Sequence, residues 1–410
     1  MSKEKIYSAD LLIIGGGVAG LTLAKLLGKE GLNIHIVEQK PPLPLSKTQL
    51  SSRTVALMQS SLNILRGAGL DDFIEKYGTK MNVMRIIDDS ASGQDTITSE
   101  FDSFDIGLDY FSMNIPNDFL RARLFEDLNA LENIVIHETS LQDLEHSSTS
   151  VIANLDNGTK VKAPLLIGAD GRKSLVRKIS GIKVKKKHYD QSAITCIINH
   201  SRSHNNSSTE FHRPGGPFAL VPMQGNQSSV VWVEKTEKSN ALIALPKEAF
   251  EHALQQETND ILGGITLASP PQSWPLCAIK AECLTAPRTA LIAEAAHVMS
   301  PITAQGLNLS LRDVAALAET IIDALRVGSD HGAKAILKNY ERRRSLDIKT
   351  RTWGVDSMNQ IVRTSKAPIK DLRRNVLKAV DRFGPIRTIA MQHGLAPSLD
   401  QGRLTQGESL

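Results

Sequence analysis

A carboxylate, a proline and a glycine follow a short apolar run near residue 290, in a spacing that suits ligand binding. Residues 290–293 are typical of a strand that ends on Glu294, and a loop with Pro301 and Gly306 leads to an amphipathic helix predicted near Leu307. A strand-end carboxylate accepts hydrogen bonds from hydroxyls, and the free N–H groups of a helix start favour negative charge. The ribityl chain and pyrimidine edge of a flavin fit this pattern. An ordinary strand–loop–helix connection is the alternative.

A glycine-rich turn between two predicted strands lies near the N-terminus. The apolar run 11–14 leads into a GxGxxG pattern and a helical stretch, and a second strand over 33–37 ends at Glu38. In this pattern the first glycine permits the tight turn, the second lets the backbone approach a pyrophosphate, and the third allows close helix–sheet packing. The terminal acid can accept hydrogen bonds from a ribose. The segment therefore predicts dinucleotide binding, without separating NAD from FAD, by Gly15, Gly17, Val18, Ala19, Gly20 and Glu38.

A third segment, residues 165–177, has a similar layout. An apolar run ends in Asp170-Gly171, and Ser174 and Arg177 follow where a helix is predicted to begin. On its own this segment is equally typical of a strand with an Asp-Gly turn and a capping serine.

Together the three segments resemble the fingerprints of the single-component flavoprotein aromatic hydroxylases, which share the para-hydroxybenzoate hydroxylase fold. Within that class the chain most resembles the ubiquinone-biosynthesis hydroxylases of the UbiH/UbiF/VisC type. The narrower match is carried by residues 51–70, 114–128, 210–223 and 300–317, and the resemblance extends from the first strand to about Pro397. It implies an α/β fold in which a discontinuous Rossmann-like FAD-binding domain carries an inserted mixed or antiparallel β-sheet substrate domain and C-terminal helices.

The resemblance also implies the chemistry. Non-covalent FAD is reduced by NAD(P)H and reacts with O2, and the resulting flavin C4a-hydroperoxide hydroxylates the aromatic ring of a polyprenylated phenol. Such chemistry asks the protein to exclude water and to set the flavin electronics rather than to supply acid–base side chains. We therefore assign no catalytic residue. Two alternatives stay open: an FAD monooxygenase or reductase acting on another small aromatic or isoprenoid, and a non-catalytic FAD-binding subunit of a quinone-biosynthesis assembly.

The resemblance adds further candidate cofactor residues. Arg53, interpreted as standing at the start of a helical run, is implied to lie near the flavin pyrophosphate or isoalloxazine edge, and Arg121 to reach toward the FAD phosphates. The backbone N–H groups of Leu307 and Asn308, beside Pro301 and Gly306, are candidates to stabilise negative charge on the reduced flavin. The chain departs from the family where Ala293-Glu294 replaces Gly-Asp, so Glu294 must reach the ribityl hydroxyls with a longer side chain. We interpret His297 and Asp170 as a structural histidine and a cofactor-binding acid, respectively.

Composition places the 410-residue chain among soluble globular proteins, with 41% hydrophobic and 22% charged residues. A net charge of +4 and three cysteines without metal-ligand spacing give no expectation of a nucleic acid or a metal partner. Reduced cysteines and the absence of a signal-peptide pattern predict a cytoplasmic protein, peripheral to the inner face of the membrane if its basic region binds lipid.

The chain length and the alternation of patterns predict a discontinuous domain arrangement. The FAD-binding domain is predicted from 1–75, 106–180 and 286–335, and the substrate domain from 76–105 and 181–285. A helical region over 336–397 and a frayed tail over 398–410 complete the prediction.

The predicted helical region is strongly basic. Residues 338–390 contain 14 Lys and Arg but 5 Asp and Glu, a local charge of +9. This segment predicts contact with an acidic partner or an anionic membrane, with a solvated helical face as an equal alternative. The resemblance adds a Ubi-type protein assembly as a partner. The principal contacts would be Arg342, Arg343, Arg344, Arg373 and Arg374.

Overall fold

The computed structural model describes residues 6–88, 96–213, 215–299, 305–363 and 402–410, with the backbone alone over 352–363. The strands of the N-terminal half are β1 Ile6–Ser8, β2 Leu11–Ile14, β3 Ile34–Val37, β4 Thr54–Met58, β5 Thr79–Met81, β6 Val83–Asp88, β7 Ile97–Asp102, β8 Ser112–Pro116, β9 Ile134–His137, β10 Leu141–His146, β11 Val151–Leu155, β12 Lys160–Ala163 and β13 Leu166–Gly168. The later strands are β14 Val184–His200, β15 Ser207–Arg213, β16 Gly216–Met223, β17 Gln227–Glu234, β18 Ile265–Leu267, β19 Gln272–Ala281, β20 Thr285–Ala286, β21 Thr289–Leu291 and β22 His297–Val298.

The helices lie between and after these strands. They are α1 Val18–Lys29, α2 Gln59–Gly67, α3 Asp71–Tyr77, α4 Asn117–Asn129, α5 Leu175–Ile179, α6 Thr236–Ile243, α7 Lys247–Glu257, α8 Ala293–Ala296, α9 Gln305–Arg326, α10 Lys334–Arg363 and α11 Arg403–Gln406. Two 3-10 turns occupy Leu45–Lys47 and Ser103–Ile106. None of the helices in the described ranges combines the length and the apolar character that a bilayer crossing requires.

A six-stranded sheet in the order β20-β21-β13-β2-β3-β9 forms the centre of the N-terminal half. Every residue of β2 and β3 is buried, because helices and a second sheet cover both faces, as is usual for parallel strands. Strands from near residue 11, residue 166 and residue 289 become neighbours here. The chain leaves this sheet and returns to it three times, at β9, β13 and β20. The predicted α/β fold with a Rossmann-like sheet is confirmed.

A nine-stranded mixed sheet is built largely from residues 83–102 and 184–281, which lie within the segments predicted to form the substrate domain. Its order is β22-β19-β14-β17-β16-β15-β6-β7, with β18 paired to β14, and all its pairs are antiparallel except β15 with β6. Smaller sheets, β1-β12-β11-β10 and β4-β8-β5, complete the architecture. The division of the chain into domains at the predicted boundaries stays a prediction.

The C-terminal residues pack against the body of the protein, which corrects the prediction of a frayed tail for 402–410. Leu404 of α11 is buried against the main core, and its N–H donates to Glu319 Oε1 of α9 over 3.0 Å. An apolar anchor and a satisfied backbone group explain the order, and the pattern-based prediction missed both because the tail is short and polar. The basic helical region is described only to residue 363, so Arg373 and Arg374 lie outside the described residues.

The buried His35 of β3 lies beside the half-buried His137 of β9. The His35 and His137 ring nitrogens are 2.9 Å apart, and the Tyr7 ring centroid lies 5.5 Å from each imidazole. Burial, with a smaller contribution from His137, lowers the pKa of His35 from 6.5 to about 4. A charged imidazole is therefore disfavoured at this position in the folded protein.

We expect replacement of His35 by valine to reduce the acid sensitivity of folding. The pKa of His35 is lower in the folded protein than in the unfolded chain. The folding stability that depends on a neutral His35 is therefore fully present above about pH 6.5, and it is lost as the pH falls toward about 4. At about pH 5 that loss is roughly 2 kcal/mol in the wild type, and it should be absent in His35→Val. Urea unfolding at neutral and mildly acidic pH measures it, with the exposed His188→Val as the control. An equal pH dependence in all three proteins would contradict the assignment.

Candidate functional site

The glycine turn after β2 is fixed by contacts that leave no room for a side chain at two of its positions. Gly15 has φ +111°, and a Cβ there would lie 2.4 Å from the Ala169 carbonyl oxygen. A Cβ on Gly20 would lie 2.3 Å from the Gly15 carbonyl oxygen. At Gly17, by contrast, a Cβ would meet no protein atom within 4 Å. The turn is thus packed tightly on its protein side and open on the other.

The open side of this turn faces a cavity of about 430 Å³, which we call the main cavity. Helix α1 begins there after Gly17, which gives it no side-chain cap, so the first N–H groups of the helix are available to a ligand. Anions bind well at such a helix start. Of the predicted cofactor residues, the main cavity is lined by Gly17, Val18, Ala19, Gly20, Arg53, Arg121, Glu294, Gly306 and Leu307.

The opposite wall of the main cavity comes from the nine-stranded sheet. Strands β14, β16, β17 and β19 contribute mostly apolar side chains, so one wall is rich in backbone donors and the other is apolar. The residues of this wall are Ala193, Thr195, Val221, Ser229, Val230, Val231, Trp274, Pro275, Leu276 and Cys277. Such a cavity suits a flat ligand that lies between a polar wall and an apolar wall.

Glu38 and Arg121 connect the glycine turn to the end of β3. Glu38 accepts hydrogen bonds from the N–H groups of Gly16 (2.6 Å) and Lys40 (2.7 Å). The Arg121 guanidinium donates to the carbonyl oxygens of the same two residues, each over 2.7 Å, and lies 3.4 Å from the Glu38 carboxylate. Arg121 also lines a second cavity of about 410 Å³ beside residues 42–49, so the two cavities share this residue.

Asp170 shapes the site without lining the main cavity. Its Oδ2 accepts from the N–H groups of Leu175 (2.7 Å) and Val176 (3.1 Å), which caps helix α5. This cap holds the loop that brings Gly171 and Arg172 to the cavity wall. The prediction that Asp170 binds a cofactor therefore stays a prediction, and the structure gives the residue a local structural role.

Arg172 is a cavity residue that the sequence analysis overlooked. Its guanidinium makes a forked contact with Glu294, with Nε and Nη2 each 3.1 Å from a carboxylate oxygen. Burial lowers the pKa of Arg172, but the adjacent Glu294 outweighs burial and holds the pKa above its usual value. The signal was present in the sequence as the arginine that directly follows Asp170-Gly171. Glu294 thus lines the main cavity with a partner that was not expected, and its role in cofactor binding stays a prediction.

Ala293 adopts a backbone conformation that normally belongs to glycine. Its φ is +55°. The flavoprotein aromatic hydroxylases that the sequence resembles have glycine at this position. The strand β21 ends at Leu291, and residues 293–296 form the short helix α8, so Glu294 stands on a helical turn rather than directly on the strand end.

Replacing Ala293 by glycine should therefore stabilise the protein. Relief of the left-handed conformation gains about 1–2 kcal/mol, and the greater freedom of glycine in the unfolded chain offsets part of it, leaving about 0.5–1 kcal/mol. Denaturant unfolding is the measurement. The control is the buried Ala295→Gly in the same helix, which should lose about 1 kcal/mol or more. A destabilised Ala293→Gly protein would show that the methyl group contributes packing that outweighs the strain.

The start of α9 contributes to the wall of the main cavity. Gly306 and Leu307 line the cavity, and a Cβ on Gly306 would meet no protein atom within 4 Å. Asn308 is buried, and its side chain joins α9 to β4 through the Met58 N–H (2.9 Å) and the Ala56 carbonyl (2.8 Å). Pro301 lies outside the described residues.

Arg53 precedes a strand, which corrects the expectation of a helical run. The next residues form β4, because they pair with β8, and the helix α2 begins only at Gln59. The Arg53 guanidinium lies 5.1 Å from the centre of the Trp274 ring, and the Trp274 Nε1–H donates to Thr195 Oγ1 over 3.1 Å. All three residues line the main cavity, which gives Trp274 a role that its sequence context did not indicate.

A buried charge network supports the cavity wall from behind. Asp313 of α9 accepts from His297 Nε2 (2.6 Å), from the Ala293 N–H (3.0 Å) and from Arg344 Nε (2.8 Å). Burial raises the pKa of the Asp313 carboxyl, but His297 and Arg344 together outweigh it and hold the pKa below its usual value. Asp347 then links Arg344, at 2.8 Å, to Arg312, at 3.1 Å.

This network corrects the prediction that Arg344 contacts a membrane or an acidic partner. Arg344 is fully buried, because two carboxylates from α9 and α10 neutralise it inside the protein. Arg343 is half-buried and ion-paired with Glu319 at 2.7 Å, whereas Arg342 is exposed. Charge counting cannot distinguish a buried arginine from a solvated one.

Comparison with known proteins identifies the family. A family model described as "FAD binding domain" matches residues 8–352, which is most of the chain. The chain belongs to the FAD binding domain family. Across the described residues no cluster of three or more His, Cys, Asp or Glu side chains is arranged to hold a metal ion.

Individual members of the FAD binding domain family resemble the chain over nearly its whole length. The ubiquinone hydroxylase UbiL of Rhodospirillum rubrum is 33% identical over 96% of this chain and 90% of its own. The 3-demethoxyubiquinol 3-hydroxylase of Escherichia coli K12 is 26% identical over 94% of this chain and 98% of its own. The structure of p-nitrophenol 4-monooxygenase PnpA from Pseudomonas putida DLL-E4 superposes with a TM-score of 0.77 at 18% identity, covering 95% of this chain and 98% of its own, and supports the fold.

The geometry of the site fits FAD, the cofactor of this family. The open side of Gly17, the uncapped start of α1 and the two cavities that share Arg121 match an elongated dinucleotide. The free space at Gly306 and the apolar sheet wall match a flat ring system.

Proposed function

We propose that the protein is an FAD-dependent monooxygenase that hydroxylates the aromatic ring of a polyprenylated phenol in ubiquinone biosynthesis, using NAD(P)H and O2. The observation that carries the proposal is the main cavity, with backbone donors of the FAD-binding elements on one wall and an apolar sheet on the other. The names of the relatives support the pathway, since they include a ubiquinone hydroxylase, a 3-demethoxyubiquinol 3-hydroxylase and the ubiquinone biosynthesis monooxygenase COQ6 of Caenorhabditis elegans.

The first wall would hold the cofactor. We assign the pyrophosphate to the N–H groups of residues 17–20, the adenosine end to Glu38, Arg121 and the second cavity, and the flavin ring edge to Gly306, Leu307 and the Asn308 N–H. Glu294 would bind the ribityl hydroxyls while Arg172 holds its carboxylate in place. When bound, FAD supplies the redox chemistry, in which NAD(P)H reduces O2 so that one oxygen atom enters the ring and the other leaves as water.

The second wall would hold the phenol and exclude water. Val221, Val230 and Leu276 offer apolar surface, and the Trp274 indole beside Arg53 closes the wall on one side. His297 lines the cavity, but its Nε2 is held by the fully buried Asp313, which argues for positioning of the 293–298 segment rather than proton transfer. We therefore propose no acid–base residue. The chain binds and orients the cofactor and the phenol, and it excludes water from the site.

A gene deletion tests the pathway. Cells without this protein should accumulate a prenylated quinone precursor that lacks one or more ring oxygens, as measured by mass spectrometry under air. A plasmid copy of the wild type should restore the quinone, and a Gly17→Val copy should not. Unchanged quinone in a strain with no redundant hydroxylase would refute the assigned substrate and leave only an FAD monooxygenase or reductase acting on another aromatic or isoprenoid.

One observation favours a second candidate, a non-catalytic FAD-binding subunit of a quinone-biosynthesis assembly. Glu294 replaces the family's aspartate and is paired with Arg172, so its carboxylate is partly engaged by the protein itself. Substrate-dependent consumption of NAD(P)H by the purified, FAD-loaded protein separates the two candidates. Consumption that rises with a prenylated phenol supports the hydroxylase, and a flat baseline with full FAD occupancy supports the subunit.

A further inference from the structure

A run of exposed lysines at the start of β14 has no part in the site described above. Lys183, Lys185, Lys186, Lys187 and His188 are all exposed, five residues in a stretch of six. The Lys187 ammonium lies 5.2 Å from the centre of the Tyr189 ring.

The register of the nine-stranded sheet concentrates this charge. Lys185 stands directly opposite Lys280 of β19, and Lys187 follows on the same face two residues later. Like charges directly opposite on a sheet are destabilising. Helix α10 lies beside this end of the sheet, because Glu341 contacts Leu284 and Thr285. Burial, and then the nearby Lys349 of α10 and Lys185, lower the pKa of the half-buried Lys280.

Helix α10 extends this patch with a basic and apolar face. Arg342, Leu346 and Lys349 follow one another at helical spacing, and all three are exposed, with Leu346 56% accessible. We call Lys185, Lys187, Lys280, Arg342, Leu346 and Lys349 the lysine surface.

Four acids belong to the sequence segments around the lysine surface. Asp347 is buried in ion pairs with Arg312 and Arg344, and Asp190 is exposed. Glu341 turns inward and accepts from the Leu284 N–H (2.8 Å) and the Thr285 hydroxyl (3.0 Å), whereas Glu282 is exposed. The five cations of the lysine surface therefore exceed the acids around them. An exposed leucine among an excess of cations is the composition of a surface that lies on an anionic bilayer.

We propose that the lysine surface docks the protein on the anionic phospholipid headgroups of a membrane, with Leu346 entering the interface. The location fits delivery of a substrate from that membrane, because Lys280 pairs in register with His297, and His188 with Cys277, two residues that line the main cavity. This last step rests on the proposed function, since it assumes a polyprenylated substrate.

Vesicle co-sedimentation of the FAD-loaded full-length protein tests the docking. Wild type should bind vesicles that contain phosphatidylglycerol and not pure phosphatidylcholine, and binding should weaken with salt. The triple variant Lys185→Ala, Lys280→Ala, Lys349→Ala should bind on the order of a hundredfold more weakly, since each lysine near an anionic surface contributes roughly fivefold. Leu346→Ala should weaken binding by roughly threefold or more.

The control is a triple variant with the same charge change elsewhere, Lys162→Ala, Lys235→Ala, Lys247→Ala, three exposed lysines that should leave binding nearly unchanged. Equal binding by the two triple variants overturns the proposal, and so does a wild type that ignores phosphatidylglycerol, in which case an acidic protein is the fitting partner. Vesicle binding is measured without substrate, so failure of the hydroxylase assignment would leave this result untouched.

Discussion

Replacing Gly17 by valine is expected to remove FAD from the purified protein while leaving the fold intact. The residue has φ −79° and ψ 170°, which valine adopts readily, and a side chain there would meet no protein atom within 4 Å. The space that it fills is the approach to the α1 N-terminus, so the clash falls on the cofactor. We expect flavin affinity to fall on the order of a hundredfold or more, a loss of about 3 kcal/mol. The flavin-to-protein ratio after gel filtration measures the loss, beside the melting temperature of the FAD-free proteins.

Substitutions at two other glycines serve as controls for this result. Gly264→Val, at an exposed position with similar free space, should retain FAD and stability. Gly20→Val should lose the fold, because its Cβ would lie 2.3 Å from a backbone oxygen. Full FAD occupancy in Gly17→Val would contradict the assignment of the pyrophosphate to this turn.

Asp313→Ala is expected to cost about 3–5 kcal/mol of folding free energy, because it leaves the buried Arg344 guanidinium short of a carboxylate. The same change releases His297 and the Ala293 N–H, so the flavin should also be held less tightly. Denaturant unfolding measures the first effect and flavin titration the second.

An exposed ion pair provides the matched control for Asp313. Asp323 pairs with Arg403 at 2.7 Å while remaining largely accessible, and Asp323→Ala should change stability by about 0–1 kcal/mol. If both variants lose a similar amount of folding free energy, the buried network contributes no more to stability than a surface ion pair does.

The glycine turn was predictable because its chemistry is local. Gly15 is crowded by Ala169 after β13, Gly20 is crowded by the Gly15 carbonyl oxygen, and Gly17 faces the cavity. Their requirements appear together as one fixed spacing in the sequence. The order of strand, turn, helix and acid then predicted the Rossmann-like sheet. The pairing of distant strands followed from the family resemblance rather than from any local signal.

The residues that sequence reasoning misjudged depend on contacts between distant segments. Arg344 reads as one cation in a basic run, and only the approach of α9 to α10 shows that Asp313 and Asp347 bury it. Arg172 pairs with an acid 122 residues away. Leu404 is one apolar residue in a polar tail, and its burial depends on a groove formed by α2 and α9. The spacing of residues along the sequence carries no information about such distant partners.

Oxygen labelling shows whether the protein inserts an atom of O2 into the aromatic ring. The FAD-loaded protein is incubated with a prenylated phenol, NADH or NADPH, and ¹⁸O2 in unlabelled water, and the product is analysed by mass spectrometry. We predict one labelled oxygen atom on the aromatic ring, with NAD(P)H consumed in proportion, and no product from Gly17→Val. A hydroxylated product that carries oxygen from water, or no substrate-dependent product from fully FAD-loaded protein, would contradict the account.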